Sequence, residues 1–548
     1  MVKHNRKLQF SVTVIAVVIL YAPTTFAVRR ERLIDTWRPV HYDVSITLND
    51  RLTEITEARA DIEIIALKEM SVIDLDFGEM QTDSVKLDDN SVSFLHRNGK
   101  LEIKLPKTVA ASTKLHVSVT YHGKPKDGLV LSNDKDGRPA AVGDNWPNRV
   151  HHWIPSFDHP SAKATITFNI SAPARDEVVA NGRFVKVATN GGGTKTWTFS
   201  EGAPIPPYCM IIGVGEFKRV ELSQAAPSPL SFYVPQSDAQ YAPKGFSSAA
   251  SALQMFSEIV GTYPYEKLAL IVGATRYGGM ENSSAIVFTS NLFNPNPNAA
   301  ISKAFDIRTG IEDVVAHEIA HQWFGDSVTE STWADLWLSE GFATYFAGLF
   351  IQKYEGEEAF QRYLHGAAET AFAFEKKNRI PIHDRETEDL MKLLNGNNYQ
   401  KGAWVLHMLR SRLGDEIFFR GIRDYYRQHT NSTASSEDLR LALEKASGQQ
   451  LQGFFARWIY DSGHPEYDVS WRWQPTSKTL QVVVTQKQLG AAFLDEIPIT
   501  VVTSEGSQAL KLQPRSKSTT ETFRLDSQPT SVTVDPSNTL LKEVRMSD

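Results

Sequence analysis

Apolar and polar residues alternate through most of the first two hundred positions. Tyr42, Val44, Ile46 and Leu48 place one apolar side chain at every second residue, and Leu115, Val117, Val119 and Tyr121 repeat the pattern. Successive strand side chains point to opposite faces, so this period predicts strands with one face in a core. Such runs, separated by turn residues, fill 28–222 and predict a β-rich domain, expected as a sandwich. Past Pro227 and Pro229 the apolar spacing changes to three and four, first over Ala249–Ile259. A mainly α region is therefore expected over 223–463. Beyond Gly463 and Pro465 the period of two returns in Leu480, Val482 and Val484, and again in Val532 and Val534. That predicts a small C-terminal β domain over 464–548. The expected fold class is multidomain α+β, with no internal repeat.

The first residues follow neither pattern. Lys3, Arg6 and Lys7 precede an apolar run from Val12 to Tyr21, and Thr25-Phe26-Ala27 follows it. This is the order of a secretory signal peptide over 1–27, cleaved near Ala27. The run is short for a bilayer span, although an uncleaved N-terminal anchor is the alternative. No other stretch approaches membrane length, so no stable span is expected in the mature chain. At 548 residues, 41% hydrophobic and 22% charged, the chain is too long for one core and too apolar for extensive disorder. Removing residues 1–27 deletes three cations and no acid, which takes the formal charge from −6 to −9. An acidic chain argues against nucleic acid as a partner. Cys209 is the single cysteine, so neither an internal disulfide nor a cysteine-based structural zinc site can form. A secreted or periplasmic location is expected.

The candidate chemistry lies in the helical region. His317, Glu318, Ile319, Ala320 and His321 spell H-E-x-x-H, and Glu340 follows with 18 residues between it and His321. Residues four apart share one helix face, so both imidazoles can reach one metal ion, with Glu318 beside it. Ile311, Val314, Val315 and Ile319 supply an apolar face, Thr309 with Glu312 a capping box, and Gly325 a stop. A buried helix with merely hydrogen-bonded histidines would carry those same signals. Phe342, Tyr345, Phe346, Leu349 and Phe350 predict a second helix with Glu340 in its first turn. A carboxylate among aromatic residues is costly unless it is paired or bound to a metal. Two imidazoles and one carboxylate would hold one Zn2+ per chain and leave a fourth position for water, the arrangement of catalytic zinc.

With these motifs in hand, the chain resembles the M1-type gluzincin aminopeptidases, the group of aminopeptidase N and leukotriene A4 hydrolase. The resemblance rests on Gly278-Gly279-Met280-Glu281-Asn282, on His317-Glu318-x-x-His321 with Trp337-Leu338-Ser339-Glu340-Gly341, and on Tyr399-x-Lys401-Gly402. It extends to Pro155-Ser156-Phe157-Asp158-His159-Pro160 with Lys163-Ala164, and to Phe454-Phe455-x-x-Trp458. It implies an N-terminal β saddle, a thermolysin-like catalytic domain and a C-terminal β-sandwich, without the helical domain of longer members. Ser339 stands where the family usually has asparagine, a change expected to alter a hydrogen bond behind the ligands.

The resemblance assigns metal binding to His317, His321 and Glu340, general-base catalysis to Glu318 and oxyanion stabilisation to Tyr399. From pattern alone Tyr399 is equally a capping or packing residue. Glu281 would recognise the free N-terminal ammonium of a peptide substrate. Gly278 and Gly279 would let a peptide backbone approach, Met280 would line the first side-chain pocket, and Asn282 would support that geometry. The family normally adds a Gln or Glu nine residues before the proline matching Pro155. Counted without gaps, that position is Trp146; Asp144, Asn145 or Asn148 would substitute if the loop shifts. The leading reading is a zinc aminopeptidase. Another hydrolase on the same zinc, an epoxide hydrolase or an endopeptidase, and an inactive peptide-binding module remain as alternatives.

Overall fold

The alternating runs of the first region form one extended sheet. The computed structural model describes residues 28–223, 227–289, 292–293 and 311–547. The proposed signal segment 1–27 lies outside them, as do Thr309 and the side chain of Glu312. The sheet has eight strands, with Trp37–Leu48, Ile55–Ala66, Lys114–Gly123 and Ala164–Pro173 at its centre. Val44 lies opposite Ala60, and Ala60 opposite Val119, all fully buried. The period of two thus becomes one continuous apolar face across neighbouring strands. A three-stranded and a four-stranded sheet complete the region. In the four-stranded sheet, strand Pro139–Asp144 ends two residues before Trp146.

The second region contains a sheet that the helical spacing did not predict. Strands Lys218–Ser223, Leu230–Val234, Leu268–Gly273, Ala285–Thr289 and Gly279–Met280 lie side by side in that order. The middle three are buried at every position and run parallel. Burial on both faces replaces alternation with unbroken apolar sequence, so periodicity cannot report such strands. Strand Lys218–Ser223, which straddles the expected boundary at 222/223, pairs with Leu230–Val234 in this sheet.

The helices Ala249–Ile259, Ile311–His321, Trp337–Glu355, Glu357–Glu375 and Gly402–Leu413 pack on one another, and Ile311–His321 meets the sheet at strand Gly279–Met280. Trp337–Glu355 is central: every residue from Trp337 to Ile351 is buried, all round the helix rather than along one stripe. It approaches Gly402–Leu413 through a pair of glycines. A Cβ on Gly341 would lie 3.0 Å from Gly402 Cα, and one on Gly402 would lie 3.1 Å from Gly341 Cα. Either methyl group would force the two helices apart.

The C-terminal β region has a four-stranded sheet containing Glu466–Gln474 and Thr479–Gln486, and a three-stranded sheet containing Ile497–Thr503. Val482, Val484, Ile499 and Val501 belong to the same apolar core as the helices. Among the described residues no helix is long and apolar enough to cross a membrane. Lys163 ties the first region to the second, donating to the carbonyls of Asp326 and Ser327 at 2.7 Å, just past the H-E-x-x-H helix.

Candidate active site

Three side chains from two helices meet at one point. His317 and His321 share a face of helix Ile311–His321, and Glu340 projects from the first turn of Trp337–Glu355. The two Nε2 atoms are 3.1 Å apart, and Glu340 Oε2 lies 3.4 Å from each. Ligands about 2.0–2.2 Å from a tetrahedral zinc ion stand about 3.3–3.6 Å from one another. The triangle therefore has nearly the size that zinc requires. Among the described residues Glu340 Oε2 is also buried with no hydrogen-bond partner, a costly state that a cation relieves.

The atoms behind the ligands set their orientation. His321 Nδ1 lies 3.1 Å from the Phe324 carbonyl and 3.0 Å from Ser339 Oγ. A carbonyl can only accept, so the proton belongs on Nδ1, and Nε2 faces the triangle. Ser339, the departure from the family's asparagine, reaches this imidazole because Gly325 has no side chain. A Cβ on Gly325 would lie 2.3 Å from Ser339 Oγ, and its φ of +122° also suits glycine.

Electrostatics make the same demand. Glu281, Glu318, Asp326, Glu330 and Glu340 are all buried, and among the described residues none has a Lys or Arg ion pair within 4 Å. Burial disfavours a charged His321, yet the carboxylates of Glu281, Glu340 and Glu318 raise its pKa to about 10. Burial would raise Glu340, but the His317 and His321 imidazoles hold it down to about 2. Burial pushes Glu318 well above the usual carboxylate range and Glu281 up to about 7. Positive charge is drawn to this spot, whether it arrives as a proton or as a metal ion.

Glu318 stands against Gly279. A Cβ at 279 would lie 2.3 Å from Glu318 Oε1, so the glycine leaves the carboxylate its space. Gly279–Met280 is the edge strand of the five-stranded sheet, paired with Ala285–Thr289. Gln322, which sequence reasoning missed, fastens this segment to the ligand helix. Its Nε2 donates to the Glu281 carbonyl at 2.6 Å and to Asp326 Oδ2 at 2.9 Å, and its Oε1 accepts from Ser284 N at 2.8 Å. Nothing in the sequence marks Gln322 except its place immediately after His321. Asn282 is fully buried and donates to the Met280 carbonyl at 3.3 Å.

Tyr399 lies on the π-helical turn Asn397–Lys401 at the start of helix Gly402–Leu413. Its ring is parallel to His317 at 5.9 Å, and its hydroxyl hydrogen-bonds Glu340. Burial and the charge of Glu340 hold its pKa well above the usual phenol value, so the hydroxyl keeps its proton. Lys401 anchors the turn from behind through Glu375 Oε1 at 2.6 Å and the Gly463 carbonyl at 2.9 Å.

One pocket collects Gly279, Met280, Glu281, His317, Glu318, His321, Glu340 and Tyr399, with Trp146, Tyr277 and Leu394 completing its wall. Gly278 and Asn282 do not line it. Of the first-region candidates only Trp146 reaches the pocket, held against Tyr277 and Trp333 by edge-on ring contacts. Asp144 is buried 3.1 Å from Arg149, Asn145 bonds the Met210 carbonyl and Trp153 Nε1, and Asn148 is exposed.

Two family models match this chain, the peptidase M1 N-terminal domain over residues 38–209 and the peptidase family M1 domain over residues 245–458. The chain belongs to peptidase family M1. Its relatives include aminopeptidase 2 of Candida albicans, 25% identical over 80% of this chain and 48% of the relative. Leucyl aminopeptidase of Saccharolobus solfataricus is 28% identical over 72% of this chain and 48% of the relative. Aminopeptidase M1 of Arabidopsis thaliana is 27% identical over 80% and 48%. This M1 chain thus spans about half the length of the curated relatives it matches. In fold it is similar to an M1 zinc metallopeptidase from Deinococcus radiodurans, with a TM-score of 0.65 and 24% identity over 78% of this chain and 95% of that one.

Proposed function

We propose that this M1 chain is a zinc aminopeptidase that removes N-terminal residues from peptides. The observation that carries this reading is the His317–His321–Glu340 triangle, sharing one pocket with Glu318, Glu281 and the edge strand Gly279–Met280. His317, His321 and Glu340 would hold the zinc ion, which would supply Lewis acidity and lower the pKa of water toward neutral. Glu318, beside the ligands, would take the proton of the attacking water and later pass it to the leaving amine. Tyr399 donates its hydroxyl to the oxygen on which negative charge develops. A peptide laid along Gly279–Met280 pairs as an added strand, which sets the register of its first residue. Glu281 accepts the ammonium, and a blocked amine leaves that buried carboxylate unpaired. Secretion or periplasmic export by way of residues 1–27 is part of the same proposal.

The metal assignment has its own test. Protein dialysed without chelator should retain one equivalent of zinc, and His317→Ala should lose it. Full turnover after chelation, checked by metal analysis, would remove the basis for the mechanism. The aminopeptidase reading is tested with a panel of aminoacyl amides, each free and N-acetylated. Wild type should cleave only the free amines, and Glu281→Ala should reduce that preference. Turnover of acetylated or internal peptide bonds would favour an endopeptidase instead.

Trp146 replaces a carboxylate or amide acceptor with an aromatic face. It offers the ammonium a cation–π contact of about 0.5–2 kcal/mol and no hydrogen-bond acceptor. Trp146→Leu, which keeps an apolar side chain against Tyr277 and Trp333, should raise KM by about 2- to 30-fold with little change in kcat. An unchanged KM would show that Trp146 only packs.

A further inference from the structure

A second group of metal-ligand side chains lies away from the pocket, where the catalytic region meets the C-terminal β region. His464, Glu466 and Glu543 bring an imidazole nitrogen and two carboxylate oxygens within 4.8 Å of one another. Glu466 and Glu543 begin neighbouring parallel strands, Glu466–Gln474 and Glu543–Met546, and are direct partners in their register. Like charges set side by side across a sheet repel, and that arrangement persists at a cost unless positive charge sits between them.

His464 is what distinguishes this cluster from a pair of surface acids. It is 95% buried, with one ring face against Phe372 at 4.1 Å between centroids. Its Nδ1 lies 2.5 Å from Glu375 Oε2. Glu375 Oε1 takes Lys401 Nζ at 2.6 Å and the Gly463 N–H at 3.2 Å, and its Oε2 is the acceptor for His464 Nδ1, which therefore carries a proton. In the neutral imidazole Nε2 then presents a lone pair. That atom is buried and, among the described residues, has no hydrogen-bond partner. Glu543 Oε2, another acceptor, lies 3.7 Å away, too long for a hydrogen bond even if Nε2 were protonated. A lone pair and two carboxylates converging on one space is an arrangement that wants a cation.

We infer that His464 Nε2, Glu466 and Glu543 form a second divalent-cation site, distinct from the ligand triangle at His317. Glu375 has the role usual behind a metal-bound histidine: it receives the far ring N–H, fixes the tautomer and raises the basicity of the ligating nitrogen. One nitrogen and two carboxylate oxygens suit Zn2+ or Mn2+ better than Mg2+ or Ca2+, which prefer all-oxygen shells. The 3.7 Å spacing of His464 and Glu543 is close to a ligand–ligand edge around zinc, and Glu466 and Glu543 have the solvent access to swing inward. Lys376 is the resident competitor, with Nζ 3.3 Å from Glu543 Oε1. Its side chain is 66% exposed, so it can leave at little cost. With two of three ligands at the surface, the site should bind less tightly than the buried triangle and empty on dialysis. A bound ion would clamp His464, at the start of the C-terminal region, to strand Glu543–Met546 at its end.

The test uses the full chain already holding its single tightly bound zinc. Titrated with Zn2+ by isothermal calorimetry, wild type should take up a second equivalent, and its melting temperature should rise over the same concentration range. Glu466→Gln and Glu543→Gln are isosteric and near the surface, and each should weaken the second equivalent by at least about 10-fold. His464→Gln, whose amide can still donate to Glu375, should abolish it. The inference is overturned if wild type saturates at the first equivalent, or if the two glutamine variants bind the second as tightly as wild type.

Discussion

Glu318→Gln is expected to keep its zinc and its fold while losing about 100- to 10,000-fold in turnover number, the range for removal of a general base. Gln has the shape of Glu, so the space opposite Gly279 is filled as before. The amide cannot take a proton from water. The substitution also removes one of five buried carboxylates at the site, and Glu318 is among those whose charge burial penalises most. Thermal stability should therefore equal or exceed that of wild type, which separates a chemical defect from a folding defect. Metal content, melting temperature and kcat measured on one preparation decide the matter. Loss of zinc with the activity would make Glu318 a structural residue, and retention of activity would place the base elsewhere.

Tyr399→Phe should lower kcat by about 100- to 1000-fold with KM changed far less, the signature of a donor that acts on the developing oxyanion. Phenylalanine retains the parallel ring contact with His317 and gives up only the hydroxyl and its bond to Glu340. The lost bond touches a ligand, so zinc content must be measured alongside. Full zinc with collapsed kcat supports the oxyanion role. A variant within threefold of wild type would show that another donor serves that oxygen.

Local sequence was enough to nominate the three side chains that the structure brings together. His317 and His321 are legible because a helix converts a spacing of four into one shared face, whatever surrounds it. Glu340 is legible because the aromatic residues after it predict a helix whose first turn must account for a buried acid. The strands around Val44 and Val119 are legible because one face is buried and the other is not. Where burial is complete that signal vanishes. Leu268–Gly273 and Ala285–Thr289 are buried throughout, and the sheet that carries Gly279–Met280 left no period to read.

What the fold alone decided is distance between segments far apart in sequence. The glycine of Trp337-Leu338-Ser339-Glu340-Gly341 and that of Tyr399-x-Lys401-Gly402 stand in two separate motifs, and nothing in either links them. Only their packing shows that Gly341 and Gly402 touch, and that this contact brings Tyr399 up to Glu340. Trp146 could be counted to a position, but its place in the pocket depended on the strand that delivers it and on Tyr277 and Trp333, which hold it. Gln322 and Ser339 gained their roles in the same way, from neighbours that no spacing encodes. Periodicity reports which face of an element is buried; which elements then meet is set by the shape of the packed core, and the buried carboxylates around His321 acquire their demand for a cation only after that packing has removed water from them.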